Sequence, residues 1–309
     1  MAHSTEQEGE LPRPLRGSLV SPWLGLLSVV SALLTAGGCT GLFFQPTRDH
    51  IDNPLLTRVD VEDVYLRTPD RVRLHGWVFR PRGPTRGTLV FFHGNAENIS
   101  THASSIVWLA AEGYQGVLFD YRGYGRSEGS PDIEGVHIDA AAVLAWVFAN
   151  PNLDTDRVWV LGQSLGGAIA VHTVATSPFK EKIKLLVLDS SFAGYRRIAR
   201  EKLAHGIITW PLQFPISLLI DDRYSPEAWI AQVHPVPVLI VHGEMDTVVP
   251  VEHARVLYEK ARDPKGLWIV RDQGHIGALG NADLRARLLE TLNEYLWGRT
   301  GSESTDLQH

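Results

Sequence analysis

The stretch "VWVLGQSLGGAIAVHTVATS" occupies positions 158–177. Its first six residues read as a buried strand. A small-residue pattern that reads as a helix starts immediately after Ser164. One serine therefore sits between Gly162 and Gly166 at the change from strand to helix. A strand that turns sharply into a helix forces positive φ at the bend, and its neighbours two before and two after approach other backbone closely. A Cβ at either neighbour would clash, hence the two glycines. The product is a hydroxyl held clear of the backbone at a helix N-terminus. There the N–H of Leu165 and the positive end of the helix dipole meet a developing oxyanion. A chance Gly-x-Ser-x-Gly in a glycine-rich turn lacks the flanking strand and helix that this context supplies.

A serine hydroxyl is a poor nucleophile at neutral pH and needs a base oriented by an acid. Both follow Ser164 in the order acid, then histidine. "VPVLIVHGEMDTVVP" is a strand and a loop carrying Asp246. "GLWIVRDQGHIGAL" is a strand and a loop carrying His275. Asp189, which ends the strand "KLLVLD", competes for the role of acid. Asp246 is preferred, because its strand is the one next before the histidine's, and sequential βαβ units usually lie side by side. Asp189 is read as structural.

Of the thirteen histidines, most have plainer roles. His75 lies in a hairpin, His137, His172 and His253 fall on helical stretches, and His242 reads as a structural hydrogen-bonder. A second oxyanion donor is expected from the loop after an early strand, and "FFHGNAEN" fits. Gly94 lets the backbone approach, the N–H of Asn95 donates, and His93 and Glu97 shape the loop. The plain alternative is an ordinary β–α turn.

Around these motifs, "VDVEDVYLRT" and "RVRLHGWVFRP" alternate apolar and polar residues about Pro69-Asp70, as in an antiparallel hairpin. Then short continuous apolar runs, suited to strands buried on both faces, alternate with helical patterns. "ISTHASSIVWLAAEG" (99–113) is one expected helix, and "NADLRARLLETLNEYLWG" (281–298) closes the domain. The rhythm implies right-handed βαβ units on a mostly parallel sheet, an α/β fold with helices on both faces. Function then gathers at the carboxyl ends of the strands. Residues 192–235 interrupt the rhythm and read as a small helical cap. Within it, Trp210 and Phe214 are candidates for an acyl-binding surface above Ser164, and packing of the cap onto the sheet is the plain alternative. Residues 299–309 read as a disordered tail.

The net charge of −6 gives no electrostatic reason to expect nucleic acid. No period of 20–50 residues marks a repeat array. The single cysteine, Cys39, allows neither an internal disulfide nor a multi-cysteine metal site. No P-loop, HExxH or EF-hand pattern is present, and no metal ligand set is read from the sequence. Cys39 ends an uncharged stretch, 19–38, that follows Arg13 and Arg16 and closes on Ala36, Gly37 and Gly38. Three readings stay open for residues 1–38: an export signal cleaved before a lipidated Cys39, an uncleaved membrane anchor, or a buried helix. The first resembles a bacterial lipobox, with Ala36 standing where that motif usually has Leu. The first two tie the chain to a membrane outside the cytoplasm, with residues 39–58 as a linker.

From 59 to 297 the chain resembles the α/β-hydrolase superfamily, on "HGNAEN", "DYRGYGRSEG", "GQSLGG", "DSSF", "HGEMDTVVP" and "GHIGAL" in that order. "HGN" with "DYRGYG" is similar to the membrane-associated branch of depalmitoylase-like and lysophospholipase-like serine hydrolases. That resemblance implies hydrolysis of acyl esters or thioesters without a cofactor. A peptidase of the same fold and an inactive binding protein are the alternatives. A dinucleotide enzyme is excluded, because Glu128 stands where the fingerprint begun by Gly123 and Gly125 needs its third glycine.

Overall fold

The computed structural model describes residues 43–204 and 209–298. Eight strands form one sheet: β1 (Asp60–Arg67), β2 (Arg73–Arg80), β3 (Thr88–Phe92), β4 (Gln115–Phe119), β5 (Val158–Gln163), β6 (Ile183–Asp189), β7 (Val238–Gly243) and β8 (Lys265–Val270). Their spatial order is β8-β7-β6-β5-β3-β4-β2-β1. β1 and β2 form the expected antiparallel hairpin, and β2 is antiparallel to β4. Every other pairing is parallel.

The central strands are short, mostly apolar and almost wholly buried because both of their faces are covered. Val90, Val117 and Val160 face one core, and Leu89, Leu118 and Leu161 face the other. The first core is closed by α1 (Ile133–Ala149), α2 (Leu165–Thr176) and α5 (Glu252–Lys260). The second is closed by α6 (Ala282–Trp297) and the turns after Asn98. Capping fixes where helices begin: the Asp132 carboxylate accepts the Gly135 N–H, and Asn281 caps α6 through the N–H groups of Asp283 and Leu284.

Two expectations need correction. The stretch 99–113 is not one helix but a single α-turn (Ile99–His102) followed by two short 3₁₀ turns. Ser, Thr, His and β-branched residues are weak helix formers, and only tertiary packing holds this run. The linker assigned to 39–58 belongs, from Phe43 onward, to the domain. Phe43 and Phe44 are buried, Phe43 packs edge-on against Tyr195 at 5.3 Å, and Gln45–Pro46 pairs in parallel with Ala96–Glu97.

The described residues of the 192–235 stretch include α3 (Tyr195–Ala204), α4 (Gln213–Leu218) and one turn at Pro226–Trp229. The stretch is stitched to itself by the Tyr195 N–H on Ser225 Oγ and the Glu227 N–H on the Ala193 carbonyl. Among the described residues no helix is long and apolar enough to cross a membrane. The readings of 1–38, Cys39 and 299–309 fall outside the described residues.

Candidate active site

Ser164 stands at the end of β5 with φ 53° and ψ −116°. Positive φ is strained for a residue with a Cβ and persists only when its surroundings enforce it. Here they do. A Cβ on Gly162 would lie 2.5 Å from the Gly166 carbonyl oxygen, and one on Gly166 only 2.0 Å from that of Phe92. The Ser164 N–H is held by the Asp189 carbonyl at 2.9 Å.

His275, in the loop after β8, reaches Ser164 Oγ with Nε2 at 3.0 Å. Its Nδ1 lies 2.7 Å from Asp246 Oδ2. The other oxygen of Asp246 accepts the N–H groups of Val248 and Val249, both at 2.8 Å. Burial opposes the charge on Asp246. Contacts from His242 and His275 and the Val249 N–H outweigh it and hold the carboxyl well below its ordinary pKa. An ionised carboxylate only accepts, so His275 carries its proton on Nδ1 and presents the Nε2 lone pair to the serine hydroxyl. His242 donates from Nε2 to the Val249 carbonyl at 2.8 Å and passes 3.3 Å from Asp246 Oδ2. It braces the Asp246 loop.

The N–H groups of Asn95 and Leu165 have no partner among the described residues. The Asn95 loop is fixed on every other side. Asn95 Oδ1 accepts the Gln45 N–H at 2.9 Å, and its carbonyl accepts the Tyr124 hydroxyl at 2.5 Å. The Asn98 side chain donates to the carbonyls of Thr47 and Asp49. His93 donates from Nδ1 to the Gly94 carbonyl, and burial drives its pKa down to about 3, so it stays neutral. A Cβ at Gly94 would sit 3.8 Å from both the Gln163 carbonyl and Ile276 Cδ1. The loop therefore lies against the elbow and the histidine loop together.

Sequence reading missed the link between these loops. Asp189 is buried, which raises its pKa, and its carboxyl accepts from Gln163 Nε2 at 2.9 Å and Ser190 Oγ at 3.2 Å. Ser190 Oγ in turn accepts the Ile276 N–H. A side chain that bonds across so long a sequence separation leaves no local pattern. Trp210 and Phe214 are 61% and 60% exposed. The Arg200 guanidinium lies over the Phe214 ring at 4.9 Å.

Residues 83–219 match a family model described as "Serine aminopeptidase, S33". YfhR, an uncharacterized protein of Escherichia coli, is 33% identical over 224 residues, which cover 71% of this chain and 75% of that one. The alpha/beta hydrolase domain-containing protein WAV2 of Arabidopsis thaliana is 33% identical over 215 residues, 66% of this chain and 68% of that one. The chain belongs to the α/β-hydrolase superfamily. A solved esterase of Pyrococcus furiosus, Pf2001, shares the fold of this α/β-hydrolase with a TM-score of 0.67 at 22% identity, over 82% of this chain and 98% of that one.

Proposed function

We propose that this α/β-hydrolase cleaves carboxylic esters or thioesters of acyl type, with Ser164 as nucleophile, His275 as general base and Asp246 as its orienting acid. The observation that carries the reading is the unbroken chain Ser164 Oγ–His275–Asp246 at 3.0 and 2.7 Å. His275 Nε2 takes the hydroxyl proton as Ser164 Oγ attacks the acyl carbonyl. The N–H groups of Leu165 and Asn95 receive the oxyanion. The imidazolium returns its proton to the leaving alkoxide or thiolate, and water, activated by the same base, hydrolyses the acyl-enzyme.

Acyl or lipid-type substrates are favoured by the cap. Trp210, Phe214, Leu218 and Leu219 are all at least 60% exposed on one short stretch, and exposed apolar clusters of this kind mark binding surfaces. The "HGN" and "DYRGYG" segments support the depalmitoylase-like and lysophospholipase-like branch in the same direction. The 19–38 stretch and Cys39 support a membrane tether outside the cytoplasm. Cys39→Ser should then leave residues 1–38 uncleaved, whereas unchanged processing and partitioning favour an uncleaved anchor. The family model's description favours a peptidase as the second reading.

Labelling by a fluorophosphonate, abolished in Ser164→Ala, tests the nucleophile. A panel of acyl esters of graded chain length, with a thioester and an N-terminally free peptide amide, tests the class. Turnover of the amide alone would overturn the ester reading, and no labelling at all would make the chain a binding protein.

A further inference from the structure

A second cluster of chemistry-bearing side chains lies outside the Ser164 triad. His75 is on β2, Asp120 directly follows β4, and His50 comes from the irregular segment before β1. One ligand atom from each lies within 4.8 Å of the other two. Asp120 Oδ2 is 3.2 Å from His50 Nε2 and 3.8 Å from His75 Nδ1. The side chains of His75 and Asp120 are fully buried, and that of His50 is 9% exposed.

The hydrogen bonds fix the protons and leave a conflict. His75 Nε2 meets the Asp63 carboxylate at 2.5 Å, and the same oxygen takes the Trp77 indole N–H at 3.0 Å. A carboxylate is an acceptor, so Nε2 carries hydrogen, and in a neutral imidazole Nδ1 is then a bare lone pair. That lone pair is buried, has no hydrogen-bond partner, and faces a carboxylate oxygen. Two electron-rich atoms face each other at a fully buried position. At 3.8 Å the two atoms are too far apart to share a hydrogen bond. A cation bound by both atoms resolves the conflict.

Two of the three ligand–ligand distances lie near those of one. Metal–ligand bonds of about 2.0–2.2 Å in a tetrahedron set neighbouring ligand atoms about 3.3 Å apart, close to the 3.2 Å contact and short of the 3.8 Å one. His50 is held in place on its irregular segment, because the Asp49 carbonyl accepts from Asn98 and the Ile51 N–H donates to Ser100 Oγ. The outer groups have the right form as well. Asp63 on His75 Nε2 makes a carboxylate–histidine pair of the kind that orients a metal-bound imidazole. Asp120 Oδ1 accepts the Ile99 N–H at 2.9 Å, which aims Oδ2 at the two histidines. Gly125, at φ 45°, lets its backbone pack closely on the pair: a Cβ there would lie 2.0 Å from Asp120 Oδ2 and 2.7 Å from His50 Nε2.

We propose that His50 Nε2, His75 Nδ1 and Asp120 Oδ2 bind one divalent transition-metal ion of the zinc class, with water as fourth ligand. Two imidazoles and one carboxylate suit zinc or cobalt, whereas calcium and magnesium take oxygen sets. The ion ties the segment before β1, strand β2 and the end of β4 together. Through Asp120 and Ile99 it braces the helical turn that follows the Asn95 loop. The site is a structural brace and does not depend on the ester reading of Ser164.

The test uses the full chain, stripped with a chelator and titrated with Zn²⁺ or Co²⁺. One equivalent should bind, Zn²⁺ should raise Tm, and Co²⁺ should give the intense visible bands of a tetrahedral site. His50→Ala, with its fold checked by circular dichroism, should lose these bands and bind Zn²⁺ more weakly by at least the ~10–100-fold that removal of an outer-shell partner costs. His50→Cys should restore binding and add a thiolate-to-cobalt charge-transfer band. That band is a signature a merely structural histidine cannot produce. Failure of the wild-type chain to hold a stoichiometric ion overturns the proposal. So does a cobalt spectrum that His50→Ala leaves unchanged, or the absence of the thiolate band in His50→Cys.

Discussion

Ser190 Oγ accepts the backbone N–H of Ile276 at 3.0 Å, across 86 residues of sequence. Ile276 directly follows His275 and has a positive φ of 58°. Ser190 also has a positive φ, 54°, and its hydroxyl donates to the buried Asp189 carboxyl. Asp189 is itself bonded to Gln163, the residue before the nucleophile. The loop that carries the histidine is thereby referenced to the strand end that carries the serine.

Removing that reference should misplace the base without removing it. Ser190→Ala is expected to lower kcat for ester hydrolysis about tenfold, equivalent to ~1.4 kcal/mol, with KM little changed. A single lost hydrogen bond costs about 1 kcal/mol of stability, so the fold should survive. Steady-state kinetics at saturating substrate decide it, and an unchanged kcat would mean that the histidine loop is held by other contacts alone.

Ser164→Ala separates the nucleophile from the elbow. Alanine occupies the same strained backbone at little packing cost, so Tm should stay within a few degrees. Activity should fall by several orders of magnitude, to a residual ~10³–10⁴ over water that comes from the oxyanion donors and binding. Near-normal esterase turnover in the purified variant would remove Ser164 from the mechanism.

The elbow and the order Ser, Asp, His were legible because each is a local event. Two glycines frame one bend, and each partner follows its own apolar strand. The sheet was legible for the same reason, in runs such as "TLVFF", buried at all five positions. What was not legible is long-range. Phe43 and Phe44 make a two-residue signal with no period, so a buried strap read as a linker. The 99–113 run has helical spacing but weak helix formers, and the structure breaks it into short turns. Ser190 with Ile276, and His50 with His75 and Asp120, meet only because the sheet order brings distant segments together.

The exposed aromatics of the cap offer a test of substrate class. Trp210→Ala and Phe214→Ala should leave Tm almost unchanged, because both side chains are more than half exposed. Each aromatic that covers an acyl chain is worth about 1.5–3 kcal/mol. Long-chain esters should therefore lose roughly tenfold or more in kcat/KM, and acetate esters less than twofold. An equal effect on both would detach these residues from chain recognition.

Acid should loosen the packing between α1 and the cap. His137 is buried, its ring stacks on Tyr224 at 4.4 Å, and its Nε2 lies 3.2 Å from the Tyr195 hydroxyl. Burial, with a smaller contribution from His172, lowers its pKa well below 6.5. In the unfolded chain a histidine takes up its proton near pH 6.5. Below that pH the unfolded state binds a proton that the folded state refuses, so stability falls as pH falls. His137→Gln should make the loss between pH 6.5 and 5 shallower by up to ~1.4 kcal/mol per pH unit, one proton's share. Urea unfolding across that range measures it, and a slope identical to wild type would mean that the titrating group lies elsewhere.

The two buried aspartates should divide stability from rate. Asp246 touches the base: its Oδ2 is 2.7 Å from His275 Nδ1, and two backbone N–H groups hold its other oxygen. The geometry would survive in Asp246→Asn, but an amide aimed at Nδ1 offers N–H to a nitrogen that must itself carry hydrogen. The imidazole then turns to the wrong tautomer, and the imidazolium loses its counter-charge. In serine triads this change costs ~10⁴ in kcat. Asp189 makes no hydrogen bond to His275; its carboxyl serves Gln163 and Ser190, and its carbonyl holds the Ser164 N–H. Both oxygens of Asp189 accept, from Gln163 and Ser190, so an amide there gives up one of those two bonds and touches nothing on His275. Asp189→Asn is expected to lower Tm by a few degrees and kcat by less than tenfold, and Asp246→Asn to do the reverse. An inactive, folded Asp189→Asn beside an active Asp246→Asn would move the acid to the end of β6.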